Sequence, residues 1–103
     1  MMSKKLLLFL FLTVNTATLF ASTVTFWTNS KTTGGSYIEI YVNNVYRGKI
    51  TSYYGSAPDC GARGCVTVNV TGTNNTWRAV GQDGSEWTGR LSLSSGCNTV
   101  RLH

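Results

Sequence analysis

The chain predicts an all-β fold: a single seven-stranded antiparallel β-sandwich behind an N-terminal export segment. Three observations carry this. After residue 21, apolar and polar residues alternate in short runs, the period-two signature of half-buried strands. Turn chemistry separates the runs, most clearly at Asp83-Gly84 and Asn43-Asn44, where left-handed backbone is tolerated. No helical period is visible after residue 21, where Thr, Val, Tyr and Ser dominate. Eleven glycines against one proline in 103 residues suit many short strands and tight turns, the pattern of a sandwich or barrel.

The elements follow in order. Met1–Lys5 carries two lysines, Leu6–Val14 is apolar apart from Thr13, and small and polar residues lead to Ala21. A spanning helix needs about 20 apolar residues, and extending this run to Phe20 brings in Asn15, Thr16 and Thr18. Residues 1–21 therefore read as a signal peptide cut after Ala21, with Leu19 at the minus-three position. The mature chain, residues 22–103, is then one small domain, secreted or periplasmic, with no membrane span. No cysteine near the cut offers a lipid anchor.

Seven strands are predicted: Thr23–Thr28, Ser36–Asn43, Tyr46–Tyr53, Cys65–Val70, Thr76–Gly81, Glu86–Ser94 and Asn98–Leu102. In the second and third, Ile38, Ile40 and Val42 should share the buried face. A two-residue turn at Asn43-Asn44 would set Ile40 opposite Arg47 and Ile38 opposite Lys49, with charges in the core. A three-residue loop, Asn43 to Val45, pairs Val42 with Tyr46, Ile40 with Gly48 and Ile38 with Ile50. A one-residue slip turns a whole strand over, so the three-residue loop is expected. The expected core is Val24, Phe26, Ile38, Ile40, Val42, Ile50, Val66, Val68, Val70, Trp77, Ala79, Trp87, Leu91, Leu93, Val100 and Leu102.

A domain this small buries only about 60–65% of its unfolded surface, so a covalent staple matters. Cys60, Cys65 and Cys97 allow one disulfide and leave one thiol, free or bridging a disulfide-linked dimer. Cys60–Cys65 would close a short ring. A bond from either to Cys97 closes a longer loop, which stabilises by about 4 kcal/mol, and a bond involving Cys97 is preferred. The formal charge of +5 includes Lys4 and Lys5; without them seven basic residues face four acidic ones. These charges are spaced singly, without the dense basic stripe of a nucleic-acid binder.

The segment Tyr41-Val42-Asn43-Asn44-Val45-Tyr46-Arg47-Gly48-Lys49-Ile50-Thr51 resembles the central hairpin of PEGA-type domains, small bacterial extracytoplasmic β-sandwiches. The later order, a valine strand, an aromatic strand at Trp77 and a last hairpin ending in Cys97–Leu102, is similar. The resemblance implies an Ig-like or PEGA-like sandwich, without the P-x-G-A run and with Asn44 at the usual turn glycine. A further likeness is to small secreted bacterial proteins with Phe26-Trp27-Thr28, Pro58-Asp59-Cys60-Gly61-Ala62-Arg63-Gly64-Cys65, Trp87-Thr88-Gly89 and Gly96-Cys97. Neither likeness transfers an activity.

Catalysis has little to stand on. The one histidine, His103, is the last residue, and Cys–His or Ser–His–Asp chemistry needs a positioned imidazole. Asp83 and Glu86 share a hairpin, where Asp83 serves the turn and Glu86 a solvated strand face. Cys60 and Cys65 have the spacing of half a zinc site, and the other half is missing. No cofactor is expected. The best candidate is a surface. On the expected register Tyr41 faces Arg47, Glu39 faces Lys49, and Tyr37 faces Thr51 with Tyr53 beyond. Tyrosine has high strand propensity, but its flat ring and polar tip also suit glycan or protein contact, and Arg and Tyr are enriched at binding hot spots. Trp27 should point outward if Val24 and Phe26 point inward. The long loop Ser52–Gly64 adds Tyr54 and Arg63, and long loops often carry binding function. Two glycosylation sequons, at Asn69 and Asn74, matter only in a eukaryotic secretory pathway.

The expectation is a secreted, non-enzymatic binding module for a glycan or cell-surface protein. Its site would be Trp27, Tyr37, Tyr41, Arg47, Lys49, Tyr53, Tyr54 and Arg63. A structural subunit of an extracellular assembly, or a small toxin or inhibitor, is the alternative.

Overall fold

The computed structural model describes residues 21–103, and the segment read as a signal peptide lies, but for Ala21, outside them. The described residues form seven strands and no helix: β1 (Ala21–Thr28), β2 (Ile38–Val42), β3 (Val45–Ile50), β4 (Val66–Thr71), β5 (Thr76–Gly81), β6 (Glu86–Arg90) and β7 (Cys97–Leu102). They make two sheets, β4-β1-β7 and β3-β2-β5-β6. Each strand overlaps the one expected from the alternation. Three are shorter, β2, β3 and β6, the last two because the chain must leave one sheet for the other. After Ile50, the Thr51 and Ser52 N–H groups turn to the Gly64 carbonyl. After Arg90, the Leu91 N–H donates to the Asn75 carbonyl, and the Asn98 side chain ties down Ser94.

The pairing is not wholly antiparallel. β7 runs parallel to β1, from Thr23 opposite Cys97 to Thr28 opposite Leu102. A parallel pair needs a long crossover, and here everything between β1 and β7 supplies it.

The β2–β3 hairpin corrects the expected loop. Its turn is two residues long, with Val42 opposite Val45 and Tyr41 opposite Tyr46. Asn43 and Asn44 both take positive φ, 52° and 66°, as a type I′ turn requires. The core register nevertheless holds, with Ile40 opposite Gly48, Glu39 opposite Lys49 and Ile38 opposite Ile50. A β-bulge reconciles the two. The pairing shifts between Ile40 and Tyr41, leaving Arg47 as the extra residue. Tyr41 therefore faces Tyr46, not Arg47, and Val42 does not face Tyr46.

The inward side chains of both sheets form one cluster. Val24, Phe26, Ile38, Ile40, Val42, Ile50, Val66, Val68, Val70, Ala79, Leu91 and Leu102 are buried, with Trp77, Trp87, Leu93 and Val100 packed against them. Burying each larger apolar side chain stabilises by about 1.5–3 kcal/mol. The Phe26 and Trp77 rings, 5.7 Å apart, join the two sheets. Trp77 lies across Gly89, where a Cβ would stand 2.7 Å from its Nε1, so the Trp87-Thr88-Gly89 glycine makes room for an indole on the next strand.

One disulfide, Cys60–Cys97, joins the long loop to β7 across 37 residues. The loop lies against the outer face of the three-stranded sheet. The Gly61 N–H donates to Thr67 Oγ1 and the Tyr54 N–H to the Thr28 carbonyl.

Candidate functional site

Alternation fixes what the four-stranded sheet shows to solvent. With Ile38, Ile40, Val42 and Ala79 buried, Glu39 and Tyr41 of β2 and Arg78 of β5 point outward. Tyr41 is paired with Tyr46 on one side and Arg78 on the other. The Tyr46 ring meets the Tyr41 ring edge-on at 5.5 Å. The Arg78 guanidinium lies over the Tyr41 ring, 4.5 Å from its centre. Arg78 Nη1 then bonds Glu86 Oε2 at 3.1 Å. Tyr46, Tyr41, Arg78 and Glu86 thus form a continuous row across all four strands.

A second row runs beside it. Lys49 stands opposite Glu39 and places its ammonium 4.7 Å from the centre of the Tyr37 ring. Tyr37 precedes β2, and its carbonyl accepts from the Gln82 N–H at 2.9 Å. The Gln82 side chain accepts from the Ser36 N–H, so the β5–β6 turn holds Tyr37 in place. Exposed cation–π contacts contribute about 0.5–1 kcal/mol and an exposed ion pair about 0–1 kcal/mol. Their main effect is to restrict two long cationic side chains. Arg47, exposed at the bulge, adds a third cation beside Tyr46.

The other expected site residues lie elsewhere. Trp27 is buried, 6% exposed, not outward in solvent. β1 is the central strand of its sheet, and its outer face carries the long loop as well; Thr25 on that face is fully buried and bonded to Thr67. Tyr54 is half-buried and donates its hydroxyl to the Arg63 carbonyl. Tyr54 and Arg63 belong to the loop over the three-stranded sheet, apart from the tyrosine rows. Tyr53 is 52% exposed and borders a cleft shared with Tyr37. Of the three cysteines, Cys60 and Cys97 are joined, and Cys65 is a half-buried thiol whose pKa burial pushes up.

Arg78, Tyr46 and Glu86 complete the row and were not among the expected residues. Alternation in Thr76–Gly81 already turns Arg78 away from the core. What alternation lacks is the sheet order, and only the β2–β5 pairing sets Arg78 on Tyr41. Near the row, hydrogen bonds from the Ser85 side chain and N–H hold the Asp83 carboxyl below its usual range, and they serve the turn. Among the described residues no group of three His, Cys, Asp or Glu side chains is placed to hold a metal. Comparison with protein-family models, with curated proteins and with solved structures finds no match to this chain.

Proposed function

We propose that this chain is a secreted, non-enzymatic binding module that attaches to acidic glycans at or outside the cell surface. Its binding face is the outer side of β3-β2-β5-β6. One observation carries the reading: Arg78 and Lys49 are each stacked on a tyrosine ring of that face. Ordering a long cation in advance lowers the entropy cost of binding an anion. Of the two partner classes expected from sequence, a glycan is favoured because the face offers little apolar area. Its exposed large hydrophobic side chain is Tyr46 at the hairpin tip; Val45, paired with the inward Val42, lies on the other side of the sheet.

Two further points belong to the proposal. The sheets pack face to face as a sandwich of PEGA-like form, supported by the single buried cluster and the Phe26–Trp77 contact. Export is supported by the Cys60–Cys97 bond, which persists in an oxidising compartment. No helix among the described residues is long and apolar enough to cross a membrane.

The test is titration of the mature chain, by calorimetry, with polygalacturonate, with a sulfated polysaccharide and with a neutral glucan. Binding to the acidic polymers is expected to weaken as salt rises. Tyr41→Ala and Arg78→Ala should each reduce it about thirtyfold, the size of a hot-spot loss of about 2 kcal/mol. No binding to either acidic polymer, or unchanged binding in both variants, would overturn the reading.

A further inference from the structure

Beyond the tyrosine rows, at the end where Tyr37 sits, the surface opens into a cleft of about 250 Å³. It lies between the β1–β2 connection and the chain leaving β3. Its apolar lining includes Ile38 and Ile50, both buried core residues. Its remaining lining is a set of Ser and Thr hydroxyls, among them Ser36, Thr51 and Ser52, with Tyr37, Tyr53 and Lys31. No Asp or Glu lines it.

That combination has a chemical meaning. Hydroxyls both donate and accept, matching the hydroxyls of a sugar ring. Two tyrosines present apolar ring surface with polar tips. The volume lies below the about 300–1,000 Å³ of pockets for drug-sized ligands, which suits one ring rather than a chain. The charge lining it comes from Lys31, and Lys49 stands over Tyr37 at its edge. The nearest acid along the strand, Glu39, faces Lys49 on the sheet and does not line the cleft.

We infer that this cleft is a subsite for one acidic monosaccharide unit, a pyranose carrying a carboxylate that pairs with Lys31 while Tyr37 and Tyr53 contact its ring. The inference rests on the glycan-binding reading and deepens it: the rows of the sheet would follow the polymer, and the cleft would take a single residue of it. Tyr37 belongs to both, under Lys49 and in the cleft wall.

The experiment separates the two sites. The wild type, Lys31→Met, Tyr53→Ala and Tyr41→Ala are titrated with a galacturonate trisaccharide, a neutral galactose trisaccharide, a sulfated galactose trisaccharide and polygalacturonate. Lys31 and Tyr53 are exposed, so their variants keep the fold, checked by circular dichroism. The expected result is selective binding of the galacturonate trisaccharide, weakened about tenfold in Lys31→Met through loss of one charge-assisted hydrogen bond. Tyr53→Ala should weaken it comparably, and Tyr41→Ala should affect the polymer more than the trisaccharide. If Tyr41→Ala weakens polymer binding while Lys31→Met and Tyr53→Ala change nothing, the cleft is overturned and the face stands. If the trisaccharide binds through Lys31 while Tyr41→Ala leaves the polymer unaffected, the face is overturned and the cleft stands. Equal binding of the neutral or sulfated trisaccharide overturns the carboxylate assignment.

Discussion

Asn43 shows how much one side chain of this protein does. Its backbone takes φ 52°, a conformation most residues avoid. Its side-chain Nδ2 donates to Asn75 Oδ1 at 2.8 Å, and its Oδ1 accepts from the Thr76 N–H at 3.0 Å. Asn75 is itself buried and holds the Thr71 and Gly72 carbonyls. One asparagine therefore bends the β2–β3 hairpin and fastens it to the start of β5. Asn43→Ala should cost about 2–3 kcal/mol, from the left-handed strain and the orphaned partners. Urea unfolding checks this, and a loss within a few tenths of a kcal/mol would contradict it. That the chain reverses at Asn43-Asn44 was legible in the sequence, because Asn tolerates positive φ, but the two-residue length of the turn was not. The bonds to Asn75 and Thr76 were not, because they join residues more than thirty positions apart. Trp27 shows the same limit. Alternation turned it outward from the core, but only the loop and the neighbouring strands decide whether outward means solvent.

Among the elements, the β2–β3 hairpin keeps the expected inward faces but has a shorter loop than expected. The demand that Ile38 and Ile40 face inward together with Ile50 holds, while the Asn43-Asn44 pair demands a two-residue turn. The bulge at Arg47 satisfies both, and nothing in a period-two pattern announces an inserted residue. The long loop is the other element whose role the sequence left open. Its cysteines allowed more than one pairing, and the structure joins Cys60 to Cys97, so the loop is bound to the edge strand β7. This also explains how a small domain covers both faces of β1. Replacing both cysteines, Cys60→Ser with Cys97→Ser, should cost about 4 kcal/mol on the chain-entropy scale for a loop of this length. Thermal unfolding of the double variant checks it. A melting temperature equal to that of the wild type would mean that the loop's hydrogen bonds alone hold it down.

For the whole molecule, folding gathers charges that the sequence spreads singly. Lys49 and Arg78 come from the β2–β3 hairpin and the fifth strand, and the strand order sets them on one face with Tyr37, Tyr41 and Tyr46. The grouping of Tyr37, Tyr41 and Lys49 was legible because they share one hairpin, where local alternation decides the face, whereas the place of Arg47 at the bulge was not. Arg78 was illegible because β2–β5 pairing is a long-range choice among several possible neighbours. Amide chemical-shift mapping with polygalacturonate oligomers shows whether ligand binds at this face. Binding there shifts the amides of Tyr37–Tyr41, Tyr46–Lys49 and Arg78 and leaves β1, β4 and β7 unmoved. Shifts confined to the three-stranded sheet and its loop, or none at saturating ligand, would contradict it.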